Sequence, residues 1–228
     1  MRRLGSYGHL AGLGKAVATI VTVSLAAPAW AETTILALGD SLTQGYGLPQ
    51  EDGFVPQLQA WLRDKGHDVT VINGGVSGDT TRGGLSRVDW SLTPEVDAMI
   101  VTLGGNDLLR GIDPEESRAN IDGILAAGQK KGVKMLVIGL TAPLNYGADY
   151  KAAFDRIYPE EAETHGALYE QSFFTGLMGE GSDPSASTGF MQADGIHPNA
   201  KGVARIVQTV GPRVEELIAE VGTEKPGG

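Results

Sequence analysis

No cysteine occurs anywhere in these 228 residues. A disulfide framework and a thiol nucleophile are thereby excluded, and stability has to come from the core itself. Cations are also scarce: 18 Lys and Arg stand against 28 Asp and Glu, a formal charge of −10. Such a chain repels phosphate backbones, so nucleic acid is not an expected partner, and solubility is the plain use of the acidity. Metal-ligand spacing is missing, with no H-E-x-x-H and no cysteine–histidine cluster, so no metal is expected. Gly12-Leu13-Gly14-Lys15 lacks the first glycine of a phosphate loop and is followed by Ala16 where Ser or Thr should stand. With no dinucleotide fingerprint either, no cofactor is expected. The 33 glycines follow no fixed period, which argues against collagen-like or solenoid repeats.

Long hydrophobic runs are lacking too. The longest, residues 16–27, is about a dozen residues and short of a membrane span. It follows Arg2, Arg3 and Lys15 and precedes Ala29-Trp30-Ala31, the small-x-small pattern of a signal-peptidase site. Residues 1–31 therefore read as a signal peptide cut after Ala31, with a membrane anchor as the competing reading. Cleavage removes those three cations and no carboxylate, taking the charge from −10 to −13. The remainder, residues 32–228, is expected to be one periplasmic or secreted domain with no integral membrane span. Its oligomeric state is not legible.

What is present points to an α/β fold. From Thr34 onward, short continuous apolar runs alternate with helical patterns, as in parallel strands covered on both faces. Strands are expected near 34–38, 69–72, 98–103 and 133–139, with a fifth near 167–169. Helices are expected near 53–65, 80–91, 114–131, 149–165 and 199–220, the last kinked or divided at Gly211-Pro212. Repeated strand–helix–strand units give a three-layer α/β/α sandwich around a mainly parallel, five-stranded sheet, with ligands at the carboxyl ends of the strands.

Three of those ends carry chemistry. Gly39-Asp40-Ser41-Leu42 follows the first strand, Asn73 to Gly78 the second, and Gly104-Gly105-Asn106-Asp107 the third. Ser41 alone reads equally well as a turn or helix-capping serine. The α/β-hydrolase elbow G-x-S-x-G is not its setting, because Gly39-Asp40-Ser41-Leu42-Thr43 ends in threonine. A serine hydroxyl becomes a nucleophile only when an imidazole takes its proton and a carboxylate orients that imidazole. His197 is the best base: Asp194 lies three residues back, and Pro198 disfavours helical geometry at His197. His67 and His165 read as solvated residues. Acyl transfer also needs donors for the developing oxyanion, which Ser41 and Gly78 can supply as backbone N–H groups and Asn106 as a side-chain amide. A turn glycine and a turn asparagine are the plain readings of the last two. Leu108, Leu109 and Ile112 after the asparagine, and Pro143 and Tyr146 after the fourth strand, are candidate walls for an acyl or aryl group.

These blocks together resemble the SGNH (GDSL) hydrolase superfamily, and within it the bacterial periplasmic arylesterases and multifunctional thioesterase/lysophospholipase proteins. The resemblance runs from about Ile35 to the final helix. It rests on Gly39 to Leu42, on Asn73 through Thr81, on Gly104 to Asp107 and on Asp194-Gly195-Ile196-His197-Pro198-Asn199, all in family order. It implies a flavodoxin-like SGNH fold, Ser41 as nucleophile, His197 as base, Asp194 as its orienting acid, and Ser41, Gly78 and Asn106 as the oxyanion hole. The implied reaction is cofactor-free hydrolysis of a small-molecule ester or lipid. Aryl esters, short acyl esters, lysophospholipids and thioesters all fit. The alternatives are a carbohydrate O-deacetylase and a non-catalytic lipid- or glycan-binding module.

Overall fold

The alternating pattern resolves into five strands and eight α-helices among the residues described by the computed structural model, 1, 5, 32–177 and 189–224. In chain order these are β1 (Thr33–Gly39), α1 (Ser41–Gln44), α2 (Phe54–Asp64), β2 (Val69–Gly75), α3 (Thr81–Ser91), β3 (Ala98–Thr102) and α4 (Gly105–Arg110). There follow α5 (Pro114–Lys131), β4 (Lys134–Ile138), α6 (Ala148–Asp155), α7 (Ile157–His165), β5 (Leu168–Glu170) and α8 (Ala200–Glu224). The expected signal peptide lies outside the described residues, Met1 and Gly5 apart.

All five strands are parallel, in the order β2-β1-β3-β4-β5. Helices α2 and α8 cover one face; α3, α5 and α7 cover the other, with α6 against α5. This is the expected three-layer sandwich. Covering on both faces explains the continuous apolar runs: Ile35 to Leu38, Ala98 to Val101 and Met135 to Ile138 are all buried. On α8 the buried positions Val203, Ile206, Val207, Val210, Val214 and Leu217 recur at helical spacing and meet the buried Leu58 and Leu62 face of α2. The outer edge of β2 is finished by side chains of α2: Arg63 donates to the Val69 carbonyl and Gln59 accepts from the Val71 N–H.

Two helix expectations turn on proline. Residues 149–165 form two helices, because Pro159 has no N–H to offer the Asp155 carbonyl and crowds it; the chain breaks between Asp155 and Ile157. By contrast, α8 runs undivided through Pro212. Pro212 and Gln208, whose carbonyl loses its partner, both face solvent, while the buried stripe from Val203 to Val221 continues on either side. Packing along that stripe outweighs the roughly 3 kcal/mol that an interior proline costs.

Register fixes where the chemistry gathers. Gly39 pairs with both Gly75 of β2 and Thr102 of β3, so three turns leave the sheet side by side at its carboxyl edge.

Candidate active site

The turn after β1 is built for close packing. A Cβ on Gly39 would stand 2.0 Å from Thr43 Oγ1 and 2.9 Å from the Thr102 carbonyl, so only glycine fits. Asp40 then caps α1, its Oδ1 accepting the Leu42 N–H at 3.0 Å. Ser41 is thereby the first residue of a helix that starts where the central strand ends. Arg87 of α3 locks the turn from below, donating to the Gly39 carbonyl at 2.8 Å and pairing with Asp79 at 2.7 Å.

The imidazole that meets Ser41 comes from 156 residues away. Ser41 Oγ lies 2.9 Å from His197 Nε2, and His197 Nδ1 lies 2.7 Å from Asp194 Oδ2. The carboxylate calls for a proton on Nδ1, which leaves Nε2 to accept from the serine hydroxyl. Asp194 is itself held by its own turn, its Oδ1 accepting the Ile196 and His197 N–H groups at 2.9 and 3.0 Å. Those bonds, led by the one to the His197 side chain, pull the Asp194 carboxyl down to about 2. The structure therefore joins Ser41, His197 and Asp194 in one hydrogen-bonded chain.

The two expected amide donors lie beside it. Gly78 has φ +83, a conformation that strains other residues, and its carbonyl accepts from Arg110 at 2.9 Å. Asn106 Nδ2 donates to the Asp79 carbonyl at 2.9 Å and lies 3.4 Å from Asp40 Oδ2. The short bond to the Asp79 carbonyl anchors the amide plane, and the longer contact to Asp40 Oδ2 is the weaker of its two donations. Beneath it Asp107 is fully buried, accepting from the Thr81 N–H (2.9 Å), Thr81 Oγ1 (2.6 Å) and Ser117 Oγ (3.1 Å), which ties α3, α4 and α5 together. Asp40 is also buried, and burial outweighs its hydrogen bonds, raising its pKa to about 6.

Ser41, Gly78, Asn106 and His197 open onto a cavity of about 540 Å³. Of the expected walls, Leu108, Leu109, Pro143 and Tyr146 line it, and Ile112 does not. Helix α4 ends at Gly111, after which the Ile112 N–H bonds to the Asp107 carbonyl and its own carbonyl accepts from Tyr150. Leu140, Phe174, Leu177, Met191 and Ile196 complete the apolar lining. Several of these follow the carboxyl ends of β4 and β5, the same positional signal that marked Leu108 and Pro143.

A second omission from the sequence reading is Gln192. Its Nε2 donates to the Tyr46 carbonyl (2.8 Å) and the Pro198 carbonyl (3.0 Å), while its backbone N–H donates to the His197 carbonyl at 2.8 Å. The Tyr46 ring in turn rests on the His197 imidazole, centroids 4.7 Å apart.

The other two described histidines are not solvated as expected. His67, between α2 and β2, bonds to Glu215 of α8 at 2.9 Å, and His165 bonds to Asp122 at 2.8 Å with its side chain 8% exposed. Asp122, Glu161 and His165 bring ligand-type atoms within 4.8 Å of one another. Glu161, however, is already engaged by the Arg118 guanidinium at 2.8 Å, so a cation there competes with a resident positive charge.

Comparison with known proteins gives one result throughout. The GDSL-like lipase/acylhydrolase family model matches residues 37–205. The chain is 37% identical to the esterase TesA of Pseudomonas aeruginosa, covering 82% of this chain and 90% of that one. It is 32% identical to the thioesterase 1/protease 1/lysophospholipase L1 of Escherichia coli K12, covering 82% and 86%. The crystal structure of the esterase EstA from a Pseudoalteromonas species, inhibited by monoethylphosphonate, superposes with a TM-score of 0.74 at 29% identity, covering 82% of this chain and 99% of that one.

Proposed function

We propose that this chain, which belongs to the GDSL-like lipase/acylhydrolase family and is a serine ester hydrolase, acts through Ser41, His197 and Asp194 on esters with an apolar acyl or aryl group. The observation that carries this reading is the Ser41–His197–Asp194 chain, with bonds of 2.9 and 2.7 Å, at the mouth of an apolar cavity.

The chemistry follows from the geometry. His197 Nε2 takes the Ser41 proton as Oγ bonds to the ester carbonyl carbon, and Asp194 stabilises the imidazolium. Negative charge on the carbonyl oxygen is met by the Ser41 and Gly78 N–H groups and the Asn106 amide, one such donor being worth roughly 10² to 10³ in rate. The proton passes to the departing alcohol as the carbon–oxygen bond breaks. Water, deprotonated by His197, then releases the acid from Ser41. No cofactor enters any step.

The leucines, Phe174 and Met191 around the cavity favour acyl or aryl esters over sugar acetates, whose polar rings would leave that lining unfilled. Residues 1–31 act as a leader cut after Ala31, delivering residues 32–228 as one domain to the periplasm or the exterior. Consistent with that, β1 begins at Thr33, so the cut spares every described element, and no described helix is long and apolar enough to cross a membrane.

Ser41→Ala tests the mechanism. Turnover of a short aryl ester should fall by roughly 10⁴ or more with the fold intact, and a fluorophosphonate should label the parent protein at Ser41 alone. Full turnover by the variant, or an adduct on another residue, would refute the assignment.

A further inference from the structure

Exposed large apolar side chains are unevenly distributed. Among the described residues there are eight: Met1 and Trp90, and then Tyr46, Val76, Leu109, Leu144, Tyr146 and Ile196. Tyr46, Leu109, Tyr146 and Ile196 line the mouth of the cavity, Val76 adjoins the lining residue Ser77, and Leu144 sits between lining residues Pro143 and Asn145. Six of the eight therefore ring one opening, drawn from the segments that follow β1, β2, β3 and β4 and from the turn that carries His197. Single exposed apolar residues need no explanation, but a contiguous apolar rim marks an interaction surface.

We propose that this rim docks the enzyme on the surface of a neutral or zwitterionic lipid aggregate, so that an ester-linked chain passes from the aggregate into the cavity without crossing water. The inference rests on the ester-hydrolase reading and adds to it the physical state of the substrate. Four observations select the occupant. The rim encircles the mouth of the cavity, so a protein seated on it would close the site to substrate, whereas a lipid surface supplies substrate through the same opening. No lysine, arginine or glutamate lines the cavity, its one aspartate, Asp40, is buried, and the exposed charges flanking the rim, Arg110 beside Leu109 and Asp194 near Ile196, are of opposite sign, so the rim offers no net charge to an ionic headgroup. The whole chain carries −10, which opposes an anionic surface. Tyrosine hydroxyls at the rim, such as Tyr146 donating to the Leu109 carbonyl, suit side chains that sit between water and lipid.

Leu144 makes the test clean, because it is 67% exposed and does not line the cavity. Trp90, equally exposed, serves as control: it lies nine residues along α3 from Thr81, ~14 Å from the end near the site. The full chain and its Leu144→Gln and Trp90→Gln variants are sedimented with phosphatidylcholine and with phosphatidylglycerol vesicles. All share one N-terminus, so differences between them isolate the rim. The parent should bind phosphatidylcholine, Leu144→Gln should bind it roughly three- to tenfold more weakly, and Trp90→Gln should match the parent. Turnover of a water-soluble short aryl ester should be the same in all three. Absence of binding by the parent, equal binding by Leu144→Gln, or preference for phosphatidylglycerol would overturn the proposal. Vesicle binding without ester turnover by the parent would strike the catalytic reading instead and leave the docking result standing.

Discussion

Ser41 and His197, the proposed nucleophile and base, sit 2.9 Å apart but belong to opposite kinds of structure. Ser41 is bolted to the centre of the sheet: Asp40 beside it is 2% exposed, Gly39 is wedged against Thr43, and Arg87 reaches up from α3 to hold the turn. His197 rides on an exposed turn whose residues Asp194, Gly195 and Ile196 face solvent. That turn is shaped by short-range bonds and by a single antiparallel bridge between Met191 and Pro198. A nucleophile held by burial should report damage as lost or gained stability, and a base held by a few hydrogen bonds should report it as lost rate.

Asp194→Asn is the largest expected break. Asn Oδ1 can still accept the Ile196 and His197 N–H groups, so the turn keeps its shape. Its Nδ2, though, would face His197 Nδ1 as a donor and drive the ring proton to Nε2, where it blocks acceptance from Ser41. We expect kcat to fall by roughly 10³ to 10⁴ with little change in Tm. Because Asp194 titrates near 2, the parent enzyme's rate should show no limb from this carboxylate above about pH 4. A collapse of Tm in the variant would show that the exposed turn is structural after all.

Asp40→Asn probes the buried side. Burial raises the Asp40 pKa from 3.8 to about 6, so the protonated form suits the fold. Its favourable contribution is present in full below pH 3.8 and is lost as pH rises through 6. Asparagine is neutral throughout and can still cap Leu42 through its Oδ1. Relative to the parent, the variant should therefore gain about 3 kcal/mol of stability between pH 3 and pH 8. Denaturant curves for both proteins across that range check it, and parallel pH dependences would contradict the burial argument.

How far each side could be read from sequence follows the same division. Local chemistry was legible: Gly39 to Leu42 directly follow an apolar run, and Asp194 and His197 stand at the spacing one turn can close. The parallel sheet was legible because both-face burial leaves continuous apolar strands. Features decided by distant packing were not. The α8 stripe carries the helix through Pro212, Ile112 lies beyond the Gly111 cap and outside the cavity lining, and Met191 comes to the site on a turn closed by its bridge to Pro198, whereas Phe174 and Leu177 follow β5 as Leu108 follows β3. The break before Ile157 is different, since Pro159 was visible and its effect on the Asp155 carbonyl needed only local reasoning.

Gln192 sits on the seam between the two sides, and there the smallest effect carries the sharpest information. Ser41 and His197 are far apart in sequence, so their approach depends on ties between the turn after α1 and the turn before α8. One Gln192 amide supplies such a tie, donating at once to the Tyr46 carbonyl and to the Pro198 carbonyl, and Tyr46 then braces the imidazole. Gln192→Met keeps the length and removes both donations. Two part-exposed hydrogen bonds are worth about 1 kcal/mol each, part of which the loosened turn recovers, so kcat should drop roughly tenfold. KM should hold, because Gln192 itself does not line the cavity and meets Tyr46 only at its backbone carbonyl, and Tm should move by only a few degrees. Gln192→Glu sharpens the result: its carboxylate cannot donate to either carbonyl, and its charge near His197 favours the imidazolium, moving the acid limb of kcat/KM to higher pH. If Gln192→Met instead raised KM with kcat unchanged, the residue would belong to substrate binding, and the base would owe its place to Asp194 and the Ser41 contact alone.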